Sequence, residues 1–262
     1  MIKKSGINPR ARLHVGTSGW HYKHWRGPFY SADIKGEHML RAYVRNFDTV
    51  EINNSFYRLP TVEAIKQWVK QTPPEFIFAV KASRYITHNR KLKDPEQTSA
   101  RFLEIVKSFG KKLGPILFQL PPAWKVNQER LEEFLAALPK CYRYAFEFRN
   151  PTWHTPEIVG VLRKHNAAFC IFNLNHFQSD FHVTADFVYV RLHGPGNAYQ
   201  GDYPASALRI WAQRIRSWIG ENRQVFLYFD NDQAGFAAKN AMELCDFSRR
   251  SAPIKQSVRL AG

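Results

Sequence analysis

Long apolar runs, a secretory signal and paired cysteines are all missing from this sequence. No stretch approaches the roughly 20 consecutive apolar residues that a membrane-spanning helix needs, and no apolar segment follows the charged start MIKKSGINPRAR. The three cysteines, Cys141, Cys170 and Cys245, are an odd number at scattered spacings, which argues against a disulfide framework. We therefore expect a cytoplasmic protein with buried free thiols and no membrane partner.

The sequence also lacks several short motifs of well-defined chemistry. It has no P-loop, no nucleophile elbow and no paired-cysteine metal motif. The run Val15–Trp20, at the first predicted strand, does not supply the glycine fingerprint of an open sheet that binds a dinucleotide. Any chemistry must therefore come from residues that are distant in the chain and that the fold brings together.

Acidic residues are missing from both ends of the chain, which are strongly basic. Residues 1–12 and 247–262 each hold four lysines or arginines and no acid, so together they supply eight of the sixteen net positive charges. We interpret 1–12 and 248–262 as basic, flexible tails that flank a single domain at 13–247. Such tails can bind nucleic acids non-specifically through phosphate charge. The eight charges left on the body indicate a folded part that also favours anionic partners.

The body contains a regular alternation of apolar runs and amphipathic segments. Three- and four-residue apolar spacings between most of the runs predict helices, and the short interval between the sixth and seventh runs predicts only a stub of helix. Eight such units predict a single-domain (β/α)8 TIM-type barrel. The predicted strands are Leu13–Gly19, Thr49–Asn53, Phe76–Ala82, Ile116–Leu120, Tyr144–Phe148, Ala168–Asn173, Phe187–Leu192 and Val225–Phe229. The clearest predicted helices are Val62–Gln71, Gln97–Phe109, Gln128–Leu138, Pro156–Lys164, Ala205–Ile219 and Gly235–Phe247.

Seven segments resemble the YecE-like family, an uncharacterised group also known as domain of unknown function 72. They are GTSGWHYKHWRGPFY, FDTVEINNSFYRLP, FAVKASRYITH, LGPILFQLPP, AFEFRNPTWH, VYVRLHGP and FDNDQAGFAAKNAMEL, and they span nearly all of residues 13–247. The resemblance implies a (β/α)8 barrel and no settled activity. At Asn173 the family often has Asp, and the amide found here cannot act as a base and is a poorer ligand for a dication.

The segment Thr49–Pro60 places polar side chains where a buried strand ends. Glu51 and Asn53 are two residues apart, so their side chains share one face of the strand, and an ionised carboxylate is costly to bury unless it is paired or ligates something. The pairs Glu147/Arg149 and Arg191/His193 repeat the spacing. In a barrel, the carboxyl ends of the strands converge on the active site.

These strand ends predict a site for a small anionic or phosphate-bearing ligand, on which an enzyme of the hydrolase type would act. Arginine and lysine would neutralise the anion, while a glutamate would be the general base and the histidine the acid. A satisfied salt-bridge network that fills the barrel is the purely structural alternative. The predicted substrate-binding residues are Trp20, Asn53, Lys81, Gln119, Arg149, Arg191 and Asp230. The predicted catalytic residues are Glu51, Glu147 and His193.

Two other functions stay open. A nucleic-acid-binding protein, or a nuclease of the apurinic-endonuclease type, would use the basic tails and the aromatic loop that begins at Trp20. A metal-dependent sugar isomerase or epimerase would need one divalent ion, with oxygen ligands and an imidazole that suit Mg²⁺ or Mn²⁺. Its ligands would be Glu147, Asn173, His193 and Asp230. The nearby arginines and the amide of Asn173 weigh against this metal, and the cofactor is otherwise unknown.

Overall fold

Eight parallel strands form a barrel in the computed structural model, which describes residues 13–249. The barrel strands are β1 (Leu13–Thr17), β2 (Thr49–Ile52), β3 (Ile77–Lys81), β4 (Leu113–Leu120), β5 (Tyr144–Phe148), β6 (Ala168–Leu174), β8 (Phe187–Leu192) and β9 (Gln224–Phe229), and the short strand β7 (Phe177–Gln178) lies outside the barrel. Seven of the eight neighbouring pairs in the barrel are hydrogen-bonded ladders, in the order β1-β9-β8-β6-β5-β4-β3-β2. The eight predicted strands and the barrel are confirmed, with β7 as an addition that pairs antiparallel with β6.

The helices cover the outside of the barrel. They are α1 (Met39–Tyr43), α2 (Val62–Gln71), α3 (Pro95–Val106), α4 (Gln128–Ala137), α5 (Pro156–Lys164), α6 (Ala205–Gly220) and α7 (Phe236–Arg249). Hydroxyl and amide caps start several of them: the side chains of Thr61 and Asn127 accept hydrogen bonds from the third residue beyond, at 3.1 and 2.8 Å. Within the described residues, none of these helices is long and apolar enough to cross a bilayer.

Four sequence predictions need correction. The stub of helix predicted between the sixth and seventh runs is wrong, because β6 turns directly into the antiparallel strand β7. Helix α1 was not predicted, since five residues are too few for a helical period to be recognised. Helix α7 continues through Arg249, two residues into the predicted tail, while 1–12 and 250–262 lie outside the described residues. Finally, Cys170 is buried but Cys141 is exposed, so the thiols are not all buried.

The seam between β1 and β2 closes the barrel with very few backbone bonds. Apart from an isolated bridge between Ser18 and Glu51, the strands are joined by the hydroxyl of Tyr43 on α1. This hydroxyl accepts a hydrogen bond from the backbone N–H of Thr17 at 3.0 Å and donates one to the carbonyl of Thr49 at 3.1 Å. Gly16 lets the two strands approach so closely, because a Cβ there would overlap the Thr49 carbonyl oxygen.

Replacing Gly16 with alanine is therefore expected to lower the free energy of unfolding by about 1–3 kcal/mol, the usual cost of overpacking a site that cannot yield. Urea denaturation measures this loss. Gly160→Ala is the matched control, because a Cβ at this exposed site in α5 meets nothing within 4 Å. That control should gain about 0.8–1 kcal/mol from helix propensity. Equal stability of the Gly16 variant and the wild type would rule out the tight seam.

The lower half of the barrel interior is apolar, with small residues facing large ones. Aromatic rings from β8 and β9 share this buried cluster with alanines on β3 and β5, so large side chains occupy the space that small ones leave. The residues concerned are Ala79, Leu117, Ala145, Cys170, Phe187, Tyr189, Phe226 and Tyr228. Because side chains alternate along a strand, the residues two positions further also point inward. Those residues are Lys81, Gln119, Glu147, Arg191 and Asp230, so the structure answers a question that the sequence left open, namely which face of each strand points inward.

Candidate functional site

Arg191 lies at the centre of this polar layer and is fully buried. Its Nε and Nη2 donate to both oxygens of Glu51, at 3.0 and 2.8 Å. Its Nη1 donates to Glu147 Oε2 at 2.6 Å, and its Nη2 donates to Asp230 Oδ2 at 3.1 Å. Nη1 also lies 3.3 Å from Nε2 of His193. These contacts use all five N–H groups of the guanidinium, so Arg191 holds three carboxylates in place.

Glu51 is enclosed from all sides. Besides Arg191, it accepts hydrogen bonds from the hydroxyl of Ser18 and, at 2.6 Å, from that of Tyr189. Its exposed fraction is 0%. The sequence indicated Glu51 but not the two hydroxyl donors, which come from the end of β1 and from β8, segments far apart in the chain.

Glu147 bridges the two arginines. Its Oε1 accepts a bond from Arg149 Nε at 2.6 Å, while its Oε2 bonds to Arg191. Burial raises the pKa of this carboxyl, but the guanidinium groups of Arg191 and Arg149 outweigh burial and hold the pKa well below its ordinary value. A carboxylate held so firmly in its ionised form is a weak base. The general-base roles of Glu51 and Glu147 thus stay predictions.

His193 and Asp230 form a hydrogen-bonded pair beside Arg191. His193 Nδ1 lies 3.0 Å from Asp230 Oδ2, and since a carboxylate accepts, we assign the hydrogen to Nδ1 and the lone pair to Nε2, which faces Arg191. Burial raises the pKa of Asp230, but the bond from His193 and the charge of Arg191 lower it further, to below its ordinary value. Within residues 13–249, the other oxygen of Asp230, Oδ1, accepts no hydrogen bond.

Lys81 is the exception in the layer. It is 6% exposed, its Nζ lies 4.3 Å from the centre of the Phe56 ring, and this ammonium makes no hydrogen bond to the described part of the chain. Burial, with the charge of Arg191, lowers its pKa to about 8, although Glu147, Asp230 and Glu51 act in the opposite direction. Every other charged group of the layer has a hydrogen-bonded partner, whereas the ammonium of Lys81 has none among residues 13–249.

Arg149 and Gln119 complete the predicted set on this side of the barrel. Arg149 Nη1 donates to the hydroxyl of Tyr199 at 3.0 Å, while its Nη2 makes no hydrogen bond to the described residues. Gln119 donates to the carbonyl of Leu120 at 2.7 Å. Tyr199 also packs edge-on against the ring of His193, with the ring centres 5.4 Å apart. The sequence did not indicate Tyr199, because it lies in an irregular loop without periodicity.

Trp20 and Asn53 do not join the network around Arg191. Both line a separate cavity of about 380 Å³ with Trp68 of α2. In the loop that follows Trp20, the rings of Trp25 and Tyr30 are buried and pack on Phe29. Most of the aromatics of this loop therefore lie in the core or pack against it.

The predicted metal ligands do not form a metal site. Asn173 points away from the layer and accepts bonds from the backbone of His193 at 3.2 Å and the hydroxyl of Tyr203 at 2.7 Å. Glu147 and Asp230 direct oxygens at Arg191 instead. Among residues 13–249, no group of three or more His, Cys, Asp or Glu side chains is placed to hold a metal ion. The donor set described here therefore fits a guanidinium and not a divalent cation.

These features define the class of protein: a (β/α)8 barrel with a buried charged layer where barrel enzymes carry their active sites. More particularly, the chain belongs to the family described as protein of unknown function DUF72, whose model matches residues 14–259. This membership confirms the resemblance found in the sequence.

Relatives and solved structures agree with this assignment. The chain is 22% identical to the UPF0759 protein YunF of Bacillus subtilis over 89% of its own length and 94% of YunF. It is 28% identical to the UPF0759 protein YecE of Escherichia coli over 53% of its length and 49% of YecE. A DUF72 family crystal structure from Thermotoga maritima matches with a TM-score of 0.81 and 26% identity, covering 91% of this chain and 99% of that one. A DUF72 family crystal structure from Enterococcus faecalis matches with a TM-score of 0.75 and 19% identity, covering 92% of this chain and 97% of that one.

Proposed function

We propose that this protein is an enzyme of the hydrolase type that acts on a small, phosphate-bearing anion at the carboxyl end of its barrel. The observation that carries the proposal is the unpaired ammonium of Lys81. A largely buried ammonium without a hydrogen-bonded partner is costly. In a layer where all other charges are hydrogen-bonded, an anion that reaches Lys81 would supply the acceptor that the described residues do not.

Two cations have donors to spare for such an anion. Lys81 has three N–H groups free of hydrogen bonds within residues 13–249, and Arg149 has an unused Nη2. Charge-assisted bonds from ammonium and guanidinium groups to phosphate oxygens are among the strongest in proteins. Arg191 contributes indirectly, because its own donors are engaged by Glu51, Glu147 and Asp230.

Hydrolysis requires water to attack phosphorus while the bond to the leaving oxygen breaks. Lys81 and Arg149 would neutralise the charge that grows on the phosphoryl oxygens. Asp230 has a lowered pKa, as Glu147 does, but it keeps one oxygen free of hydrogen bonds among residues 13–249. That oxygen would take the proton of the attacking water and pass it to the leaving oxygen, with His193 fixing the orientation of Asp230 through the 3.0 Å bond. If Glu51 or Glu147 is the base instead, as the sequence predicted, its bond to arginine has to open first.

Binding of inorganic phosphate, measured by titration calorimetry, tests the proposal. The wild type is expected to bind, and Arg149→Gln is expected to weaken binding about tenfold, the worth of one charge-assisted hydrogen bond. Arg149→Lys keeps the positive charge but loses the forked pair of N–H donors, so its affinity for phosphate should lie between those of the wild type and Arg149→Gln.

Arg163→Gln, at an exposed site on α5, is the control and should bind like the wild type. Thermal unfolding of each variant checks that the fold is kept. Undiminished phosphate binding by a folded Arg149→Gln variant would remove this residue from the site. Failure of the wild type to bind phosphate or to hydrolyse any of a panel of phosphomonoesters would contradict the proposal as a whole.

The nucleic-acid hypothesis rests chiefly on residues 1–12 and 250–262, which lie outside the described part of the chain. It therefore stays a prediction. Fluorescence anisotropy with labelled strands separates it from the enzyme: binding that survives loss of Lys81 and disappears with the tails would favour the binder. A steep dependence on salt would accompany that result.

A further inference from the structure

A cavity of about 380 Å³ lies beside the charged layer, between the loop after β1, the end of β2 and helix α2. Its volume falls within the range of small-molecule sites. The indole rings of Trp20 and Trp68 form one corner, meeting edge to face with their centres 5.2 Å apart. Leu40 and Ile52 add further apolar surface.

The polar groups of the cavity are mainly carboxamides. They come from two sides, namely the end of β2 with Asn53 and Asn54, and helix α2 with Gln67 and Gln71. None of the four makes a side-chain hydrogen bond to the described residues, and Oδ1 of Asn53 is buried without a partner there. Buried acceptors in folded proteins are rarely left unpaired, so Asn53, which lines the cavity, has hydrogen-bonding capacity that the described residues do not use.

The chemistry of the lining selects the ligand. A carboxamide both donates and accepts. Among the described residues that line the cavity, Glu37 is the one carboxylate, His21 adds an imidazole, and no lysine or arginine is present to attract an anion. The ligand must therefore be uncharged at this end, carry donors and acceptors on several sides, and offer a flat apolar face to an indole. A sugar ring meets all three conditions. A nucleobase has its polar groups in one plane and would leave one of the two amide pairs unmatched.

We propose that this cavity binds a neutral sugar ring. The site of the phosphate is close in the chain, since Ile52–Asn54 line the cavity and the next residue, Ser55, donates its hydroxyl to the carbonyl of Lys81 at 2.5 Å. Resting on the proposed function, the inference names the substrate class as a phosphorylated sugar, with the ring against Trp20 and Trp68 and the phosphate at Lys81 and Arg149.

Saturation-transfer NMR with a panel of unphosphorylated pentoses, hexoses, N-acetylhexosamines and their methyl glycosides tests sugar binding without any contribution from phosphate. At least one sugar of the panel is expected to bind at concentrations up to about 20 mM, typical of weak ligands in the millimolar range. Asn53→Ala should weaken that binding about tenfold, as expected for loss of a hydrogen bond to a buried acceptor. The same variant should unfold no earlier than the wild type, because Asn53 makes no side-chain bond that folding would lose.

Gln213→Ala removes an exposed carboxamide on α6, away from the cavity, and should leave sugar binding unchanged. Three results would overturn the inference: no sugar of the panel binds, Asn53→Ala and Gln71→Ala bind sugar like the wild type, or nucleosides bind in place of sugars. The sugar-binding experiment and the phosphate titration test the two proposals separately. Phosphate binding without sugar binding would contradict this inference alone, whereas sugar binding without phosphate binding would contradict the proposed function.

Discussion

Replacing Lys81 with methionine is expected to weaken phosphate binding about 100-fold and to stabilise the folded protein at neutral pH. The loss of affinity is that of a charge-assisted contact in a site largely closed to water. The gain in stability arises because burial lowers the pKa of Lys81 from 10.5 to about 8, a cost of at most about 3 kcal/mol that methionine does not carry. If Lys81 were needed only for stability, its replacement would lower the free energy of unfolding instead of raising it.

The pH dependence of stability provides a second signature. Between about pH 8 and 10.5 the unfolded chain keeps a proton on Lys81 that the folded chain has released, so the free energy of unfolding of the wild type rises with pH across this window. The advantage of Lys81→Met should be complete below pH 8 and vanish near pH 10.5. Urea denaturation at several pH values measures it.

Lys66→Met, at an exposed site on α2, is the matched control and should change neither phosphate affinity nor the pH profile. If Lys81→Met proves less stable than the wild type at pH 7, the ammonium already has a stabilising partner within the protein and does not need a ligand to provide one. If the variant binds phosphate with unchanged affinity, the anion lies elsewhere.

Replacing Arg191 with methionine is expected to lower the free energy of unfolding by about 3–5 kcal/mol at neutral pH, the cost of leaving buried charges without their partner. Three carboxylates would lose their common cation, those of Glu51, Glu147 and Asp230. A loss of this size is a large part of the net stability of a small protein, so the variant is expected to be marginally folded. Chemical denaturation measures the loss, with Arg163→Met on α5 as a control that should stay close to the wild type.

The loss should depend on pH in a defined direction. With Arg191 present, the lowered pKa of Glu147 adds stability above the ordinary pKa of a carboxyl, and this is lost as pH falls through the folded value. Without Arg191, the buried carboxylates gain stability by taking up protons, so the deficit should shrink as the solution becomes acidic. A deficit below about 1 kcal/mol, or one that grows on acidification, would contradict the view of Arg191 as the ionic centre of the layer.

The sequence predicted the barrel well because the relevant signals are local. The two-residue spacing that links Glu147 with Arg149 was enough to place both on one face of a strand end, but it did not show which face points into the barrel. The segments that escaped prediction are those whose structure depends on distant partners. Tyr43 closes the seam from a helix of five residues, and no local pattern marks a helix so short.

The sequence also could not predict that Arg191 and Lys81 have different roles within the charged layer. Their positions at strand ends indicated Arg191 and Lys81 alike as anion-binding cations. Yet Arg191 directs its N–H groups to three carboxylates and His193, while the ammonium of Lys81 has no hydrogen-bonded partner among residues 13–249. That difference is decided by Glu51 and Asp230, which approach Arg191 from strands far apart in the chain. The cavity escaped for the same reason, since Trp68 lies on α2 and meets Trp20 only in the folded barrel.

An NMR titration of Lys81 tests the central claim most directly. Lysines labelled by reductive ¹³C-methylation can be followed through pH, and the Lys81→Met spectrum identifies the signal. The account predicts a pKa near the value of about 8 in the free protein and a higher one with inorganic phosphate bound, because a nearby anion favours the ammonium form. An ordinary lysine pKa that phosphate leaves unchanged would contradict the claim that Lys81 is a buried cation held ready for an anion.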